Sequence, residues 1–175
     1  MEARFKLVDR LASKLVEEFA HLYSPALKID DLIEEQDVKI IEKDLGSSMS
    51  GASLYDGKDR IILINENEHE NRKRFTKAHE LGHVLLHQDQ NLRVDNSDSN
   101  EVFLRDKDSS SGEYWREVEA NNFAAAILMP KDLVEKEYRA ICKSGSKSDE
   151  LTEKLAKKFK VSVDAMTIRR QKLGF

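Results

Sequence analysis

The sequence is poor in cysteine and proline: its 175 residues include one cysteine and two prolines. A lone cysteine, Cys142, cannot form an intramolecular disulfide and excludes a cysteine-rich metal site. It lies in a helix-like stretch, so we expect a buried, structural thiol rather than a reactive one. The chain also lacks an apolar run long enough to cross a bilayer, and residues 1–7 lack a signal-peptide core. It is therefore predicted to be cytoplasmic, with no membrane partner.

Positive charge is not in excess either. Twenty-nine lysines and arginines face 33 acidic residues, which gives a formal net charge of -4. Such a chain is not expected to coat nucleic acid through its overall charge. Hydrophobic residues at 39% and charged residues at 35% indicate a globular protein with a polar surface. The length suits one domain, or one domain with a small appendage.

Apolar periodicity predicts an α+β chain. Spacings of three and four predict an amphipathic helix over residues 3–23 and further helices over 70–87 and 113–129. Shorter helices are predicted at 30–33, 131–142, 151–159 and 162–173. Runs of β-branched residues predict strands at 38–42 and 60–65. A further strand at 49–55, between two turn signals, would complete a small antiparallel sheet of about three strands with a hairpin turn at 56–59.

The segment from residue 88 to 112 differs in kind from its surroundings. It is rich in Asp, Asn and Ser, and residues 89–113 contain seven acidic and three basic side chains. A stretch this long and polar is expected to be a functional loop or poorly ordered.

A His-Glu-x-x-His motif, His79-Glu80-Leu81-Gly82-His83, lies within the helix predicted over 70–87. Residues four apart share one helical face, so both imidazoles can reach a single ion. Glu80 leans toward the same ion without binding it and can accept a proton from water there. Two histidines, a carboxylate and an open fourth position suit zinc. Apolar neighbours around the motif argue against two solvated surface histidines, because buried polar groups need partners.

A third metal ligand is expected on the helix predicted over 113–129. Glu117 is the best candidate, with Glu113 and Glu119 as rivals. Glu119 is rotated well away from Glu117, so at most one of the two faces the metal. Asn121 stands four residues after Glu117 on the same face. Its side-chain oxygen could accept the other ring N–H of a ligating histidine and fix that ring's tautomer.

Two long segments carry a resemblance to the ImmA/IrrE family of metallopeptidases. Residues 74–87, which contain the motif, resemble that family's signature helix, and residues 117–130 resemble its second signature. Ile64-Asn65 and parts of 155–169 also match. The resemblance implies a zincin-like, gluzincin-type peptidase domain over 1–142 and a short helix-turn-helix-like pair over 149–175. It selects Glu117 as the third ligand, because that glutamate stands three residues before Ala120-Asn121.

The resemblance also implies an activity. Zn²⁺ would be held by His79, His83 and Glu117, with Glu80 as the general base. Tyr114 and His87 are candidate donors to the oxyanion, since both lie near the motifs in sequence. The substrate would be a transcriptional repressor with a helix-turn-helix domain, and its cleavage would relieve repression of stress or mobile-element genes. Substrate would be held as an added strand at a sheet edge, which the sheet containing residues 60–65 could supply.

Two alternatives remain open on the sequence alone. Residues 151–175 contain seven basic and two acidic residues, so Arg169 and Arg170 could meet DNA phosphates in a regulator whose zinc is structural. A closed structural zinc site would need a fourth ligand, for which His87 is the nearby spare. The acidic segment 88–112 is not dictated by the family motifs, and Lys77 is expected to face solvent.

Overall fold

The computed structural model describes residues 2–55, 58–87, 92–96, 112–143 and 148–175. The helices are α1 (Glu2–Glu18), a 3-10 turn (Ala20–Leu22), α2 (Ile29–Glu34), α3 (Glu70–Leu86), α4 (Gly112–Leu128), α5 (Lys131–Lys143), α6 (Ser148–Phe159) and α7 (Val163–Leu173). The strands are β1 (Tyr23–Ser24), β2 (Ala26–Leu27), β3 (Val38–Lys43), β4 (Met49–Tyr55), β5 (Arg60–Asn65) and β6 (Leu92–Asn96). The mixed α+β class is thereby confirmed.

The main sheet has four strands in the order β3-β5-β4-β6, and it is mixed rather than antiparallel. β4 and β5 form the expected antiparallel pair, with Tyr55 opposite Arg60, although residues 56 and 57 of the predicted turn lie outside the described residues. β3 pairs with β5 in parallel, from Val38 opposite Arg60 to Lys43 opposite Asn65. The prediction of an all-antiparallel sheet was wrong because β4 takes the near side of β5. A strand pairs with one neighbour on each of its two edges, so β3 pairs with the other edge of β5.

A fourth strand comes from the polar segment. Backbone residues 92–96 pair antiparallel with β4, so β4 lies inside the sheet. β5 lies inside it as well, between β3 and β4, and is not an edge available to substrate. The rest of the predicted loop over 88–112 lies outside the described residues, apart from Gly112 at the start of α4. A register shift between Met49 and Gly51 marks a bulge in β4 at Ser50.

The core lies between the sheet and the helices. α3 packs against α4 on one side and against β4 and β5 on the other, and α1 packs against α4. Fully buried side chains include Ile62 and Ile64 of the sheet, Leu81 of α3 and Phe123 of α4. Because helix and strand periodicities place these residues on inward faces, burying them brings α3 to the middle of the molecule.

The two C-terminal helices join the same core. Leu155, Phe159 and Met166 have no exposed surface and belong to one hydrophobic cluster with α4 and the sheet. Arg169 donates from Nε to the Met129 carbonyl, 2.9 Å away, at the end of α4. Cys142, in contrast, is exposed, so the expectation of a buried thiol was wrong. Among the described residues, no helix combines the length and apolar content that membrane crossing requires.

Candidate metal centre

Helix α3 carries the motif into the core. His69 caps the helix by accepting from the Asn71 N–H at 3.2 Å. Ten residues later the helix is buried on all sides, and His79, Glu80 and His83 are 2%, 0% and 3% exposed. Such polar groups persist inside a protein only when the surroundings give them partners or an ion.

A close crossing of α3 and α4 sets the depth of the site. A Cβ on Gly82 would lie 3.2 Å from the Ala120 Cα and 3.0 Å from a Phe123 ring carbon. Only glycine opposite a small residue lets the two backbones approach this closely. The crossing lies three residues after Glu117, so it holds that side chain one helical turn away, beside the motif.

Three donor atoms converge at this crossing. The Nε2 atoms of His79 and His83 lie 3.0 Å apart. The Glu117 carboxylate brings Oε2 within 3.3 Å of the His79 nitrogen and Oε1 within 3.4 Å of the His83 nitrogen. Within the described part of the chain, His79, His83 and Glu117 form the one group of such side chains whose donor atoms could hold a metal ion.

The spacing of these donor atoms fits zinc. Ligand atoms placed tetrahedrally at the roughly 2.0–2.1 Å typical of Zn–N and Zn–O bonds lie about 3.4 Å from one another. The two imidazole nitrogens, 3.0 Å apart, and the two carboxylate oxygens, 3.3 and 3.4 Å from them, are close to that spacing. Two imidazoles and one carboxylate are also a donor set that zinc accepts while leaving one position open.

Asn121 orients the first imidazole. Its Oδ1 lies 2.9 Å from Nδ1 of His79, in a fully buried contact across 42 residues of sequence. With the amide oxygen as acceptor, Nδ1 must carry the proton, which leaves Nε2 of His79 unprotonated and able to bind a cation. Phe75, one turn earlier on α3, stacks on the same imidazole at a centroid distance of 6.5 Å.

Glu80 faces the sheet rather than α4. A Cβ on Gly51 of β4 would lie 3.6 Å from the Glu80 Cγ and 2.5 Å from the Thr76 methyl. The absence of a side chain at Gly51 therefore lets β4 lie directly against the motif helix. This contact was not foreseen, and the only sequence signal for it was a glycine inside a predicted strand.

The remaining candidates have other partners. His87 lies with Nε2 3.3 Å from the Arg116 carbonyl and 3.6 Å from the Glu119 carboxylate, and it is not part of the three-residue group. Glu119 also pairs with Arg4 at 3.5 Å, so it faces away from Glu117 as expected. Tyr114, one turn before Glu117, is half-buried with its ring edge-on to Trp115. The Glu113 side chain lies outside the described residues.

Lys77 is buried, contrary to the expectation that it faces solvent. It is 6% exposed, and its Nζ lies 2.9 Å from Asp30 of α2 and 2.8 Å from Glu42 of β3. Desolvation opposes its charged form, but hydrogen bonds to Glu42 and Asp30 outweigh it, so the pKa of Lys77 is raised. The hydrogen bond from Lys77 is in turn the largest cause that lowers the pKa of Glu42. These two ion pairs connect α3 to α2 and to β3.

Comparison with known families identifies the family of this chain. Residues 33–170 match the model of the peptidase M78 family, described as an IrrE N-terminal-like domain. The chain belongs to this family. The resemblance noted in the sequence is therefore confirmed, and the M78 match spans both halves of the metal centre.

Relatives share part of the chain. The radiation response metalloproteases IrrE of Deinococcus deserti and Deinococcus radiodurans are each 38% identical, over 81 and 80 residues, or 46% of this chain. The aligned parts make up 26% and 22% of those proteins. A Bacillus phage phi105 protein, "Uncharacterized immunity region protein 2", is 31% identical over 102 residues, 58% of each chain. This M78 chain thus aligns with little more than half of one relative and about a quarter of the others.

A solved structure shares the fold. A Mycobacterium tuberculosis transcriptional regulator superposes on 93% of this chain and 45% of its own, with a TM-score of 0.56 and 20% sequence identity. At 20% identity, this likeness shows only that the two proteins share a fold.

Proposed function

We propose that this protein is a zinc-dependent metalloendopeptidase that uses His79, His83 and Glu117 as metal ligands. The observation that carries the proposal is the convergence of these donors. The two imidazole nitrogens lie 3.0 Å apart, and each lies 3.3 or 3.4 Å from one of the two Glu117 carboxylate oxygens. Membership of a peptidase family and the likeness to two IrrE metalloproteases support it. In this proposal, residues 1–142 are a zincin-like domain, and residues 149–175 are a helix-turn-helix-like module docked on it.

The chemistry follows from the residues around the ion. Zinc held by His79, His83 and Glu117 would supply a Lewis acid that acidifies water and polarises the scissile carbonyl. Glu80, adjacent to a ligand and buried beside β4, takes the proton of the attacking water and passes it to the leaving amine. Asn121 keeps His79 in the tautomer that binds metal. Tyr114, one turn before Glu117 on α4, is the candidate donor to the developing oxyanion.

The proposed substrate is a transcriptional repressor with a helix-turn-helix domain, cleaved to relieve repression of stress or mobile-element genes. The family resemblance supports this assignment, as does the phage relative named for an immunity region. A repressor segment would be bound in extended form along the sheet.

The alternative of a DNA-binding regulator has less support. Arg169, half-buried, donates to the Met129 carbonyl, and Arg170 hydrogen-bonds Thr152 and lies over the Tyr138 ring at 5.4 Å. Arg169 thus joins α7 to the end of α4, and Arg170 joins α7 to α6 and to Tyr138 of α5. A structural zinc site closed by His87 is likewise disfavoured, since that ring lies against α4 at Arg116 and Glu119.

Three forms of the protein test the proposal: wild type, Glu80→Gln and Glu117→Gln. Each is analysed for bound zinc and then incubated with a helix-turn-helix repressor encoded by a neighbouring gene. We expect Glu80→Gln to keep stoichiometric zinc and lose cleavage by about 100-fold or more, because only the base is removed. Glu117→Gln should lose zinc affinity by more than about 100-fold, since loss of an outer partner alone costs about 10- to 100-fold.

The three parts of the proposal, the base, the metal centre and the substrate, fail separately. Equal cleavage by wild type and Glu80→Gln would exclude Glu80 as the base. Wild-type protein that binds no zinc at micromolar concentration would exclude the metal centre. Zinc binding without cleavage of the repressor would exclude that substrate and leave the centre intact.

A further inference from the structure

A cavity of about 700 Å³ lies outside the metal centre, between the first half of α3, the end of α4 and one face of α7. None of the three proposed ligands lines it. Its size falls within the roughly 300–1,000 Å³ of small-molecule sites, and such sites are found where helices meet.

The floor of the cavity is apolar. Six non-polar side chains from all three helices and the preceding turn line it: Phe75, Ala125, Met129, Val161, Ala165 and Ile168. Val161 and Met129 are buried, and the other four are half-buried, so part of their apolar surface faces the open space. An apolar ligand body would remove that surface from water.

The polar lining is mainly cationic. Arg72, Arg169 and Lys172 contribute three positive charges, whereas Asp164 is the single carboxylate among the lining residues. Each cation is held in place by a hydrogen bond to a neutral oxygen. Arg72 donates to the Ser50 hydroxyl at 3.2 Å, Arg169 to a backbone carbonyl, and Lys172 to the Asn122 side-chain oxygen at 2.9 Å.

The surroundings of the cavity disfavour the charged forms of Arg169 and Lys172. Desolvation lowers the pKa of both, and the nearby Arg169 lowers that of Lys172 further, with Asp9 of α1 as the partly offsetting anion. An anion that binds between two partly desolvated cations favours their charged forms and reduces the repulsion between them.

We propose that this cavity is a binding site for a small organic anion, with its apolar body on the floor and its acidic group at Arg169 and Lys172. The occupant is a small molecule because the space is bounded by helices of one chain and has the volume of such a ligand. It is an anion because Arg72, Arg169 and Lys172 outnumber the lining carboxylate Asp164 together with the nearby Asp9.

The cavity also adjoins the metal centre. Phe75 lines it and stacks on His79, and Arg72 lines it and contacts Ser50, next to the Gly51 that lies against Glu80. An occupant would fix both side chains. We therefore expect the occupant to regulate peptidase activity. Only this regulatory effect, and not the binding site itself, rests on the proposed function.

Binding is tested by isothermal titration of the full chain with decanoate, beside decanol and decylammonium as neutral and cationic probes of the same length. The titration is run with and without zinc, so that it does not depend on activity. We expect one saturable decanoate site, with affinity at least about tenfold above that of decanol and no saturable decylammonium binding.

Variants locate the site. Lys172→Gln should weaken decanoate about tenfold and leave decanol unchanged, whereas Lys157→Gln, an exposed lysine on α6 outside the cavity, should change neither. Ala165→Leu, which fills the floor, should weaken both probes. Its melting temperature, measured alongside, shows whether the variant is folded.

Equal affinity for decanoate and decanol would overturn the assignment of an anion. Wild-type affinity in a folded Ala165→Leu, or equal losses in Lys172→Gln and Lys157→Gln, would overturn the location. A protein that binds zinc but not decanoate would refute the cavity proposal alone, and one that binds decanoate but not zinc would refute the proposed function alone.

Discussion

At the scale of single residues, the metal centre depends on one side chain that touches no ion. Asn121 is 4% exposed and accepts from Nδ1 of His79. Without it, the imidazole would be free to rotate and to place its proton on the metal-binding nitrogen. The neighbouring Asn122 is a natural comparison, because its amide bonds the Val118 carbonyl and Lys172 instead.

We therefore predict that Asn121→Ala lowers zinc affinity about 10- to 100-fold, as loss of a hydrogen-bonding partner behind a metal ligand does elsewhere. Zinc affinity is measured by competition with a chromophoric chelator. Asn122→Ala serves as the control and should bind zinc as wild type does. Unchanged zinc affinity in Asn121→Ala would contradict the orienting role.

Lys77 is the second residue with a measurable consequence. Replacing it by Met keeps the buried alkyl stem but removes the ion pairs with Asp30 and Glu42. Both carboxylates are partly exposed, with 54% and 39% of their side-chain surface accessible, so they remain hydrated after the change. We expect a loss of about 1 kcal/mol in the free energy of unfolding near neutral pH.

The pH dependence of that loss has a defined sign. The pKa of Glu42 is lowered by folding, so its contribution is present above the ordinary value of 4.5 and fades as pH falls below it. The pKa of Lys77 is raised, so its contribution is present below 10.5 and fades as pH rises above it. In urea unfolding, the greater stability of wild type over Lys77→Met should disappear at low pH. An advantage of wild type that persists at pH 2 would exclude the ion pairs as its origin.

At the scale of elements, the crossing of α3 and α4 is the contact that assembles the site. Gly82→Ala would raise helix propensity by about 1 kcal/mol, yet the added methyl meets the Ala120 backbone at 3.2 Å. Backbone cannot move aside as a flexible side chain does. We expect a net destabilisation of about 1–3 kcal/mol by overpacking, together with weaker zinc binding as Glu117 is pushed outward.

Urea unfolding and zinc titration measure the two effects. Gly112→Ala is the matched control, because nothing lies within 4 Å of a Cβ built at that position on α4. If Gly82→Ala were as stable as wild type and bound zinc equally well, the close crossing would not be what positions Glu117.

The sheet shows where element-level prediction from sequence stops. Strands β3, β4 and β5 were predicted within a residue of their bounds because the signals are local: β-branched runs for β3 and β5, and turn residues on both sides of β4. Their order, the parallel pairing of β3 with β5 and the extra strand β6 depend on which strand occupies each edge. No local pattern encodes that choice, and β6 arises in a segment whose composition is that of a loop.

At the scale of the whole molecule, the C-terminal helices share one hydrophobic core with the preceding helices and the sheet. Phe159 has no exposed surface and lies in the cluster that includes Leu81 and Phe123. We expect Phe159→Ala to cost about 3–5 kcal/mol and to lower one cooperative transition, followed by calorimetry and by near-ultraviolet circular dichroism. Cys142→Ala, at an exposed site on α5, should leave the transition in place. Two separate transitions in Phe159→Ala would show that the C-terminal helices unfold on their own.

The sequence by itself determined the motif helix, the two imidazoles on one face and the family, because a repeat of three and four residues and a short motif are properties of neighbouring residues. Only the tertiary structure brought Glu117 to 3.3 and 3.4 Å from those imidazoles, buried Lys77 between Asp30 and Glu42, and turned Arg169 toward Met129. Each of these contacts joins residues about 35 to 50 positions apart. Their formation is decided by how apolar faces pack, which periodicity along the chain does not specify.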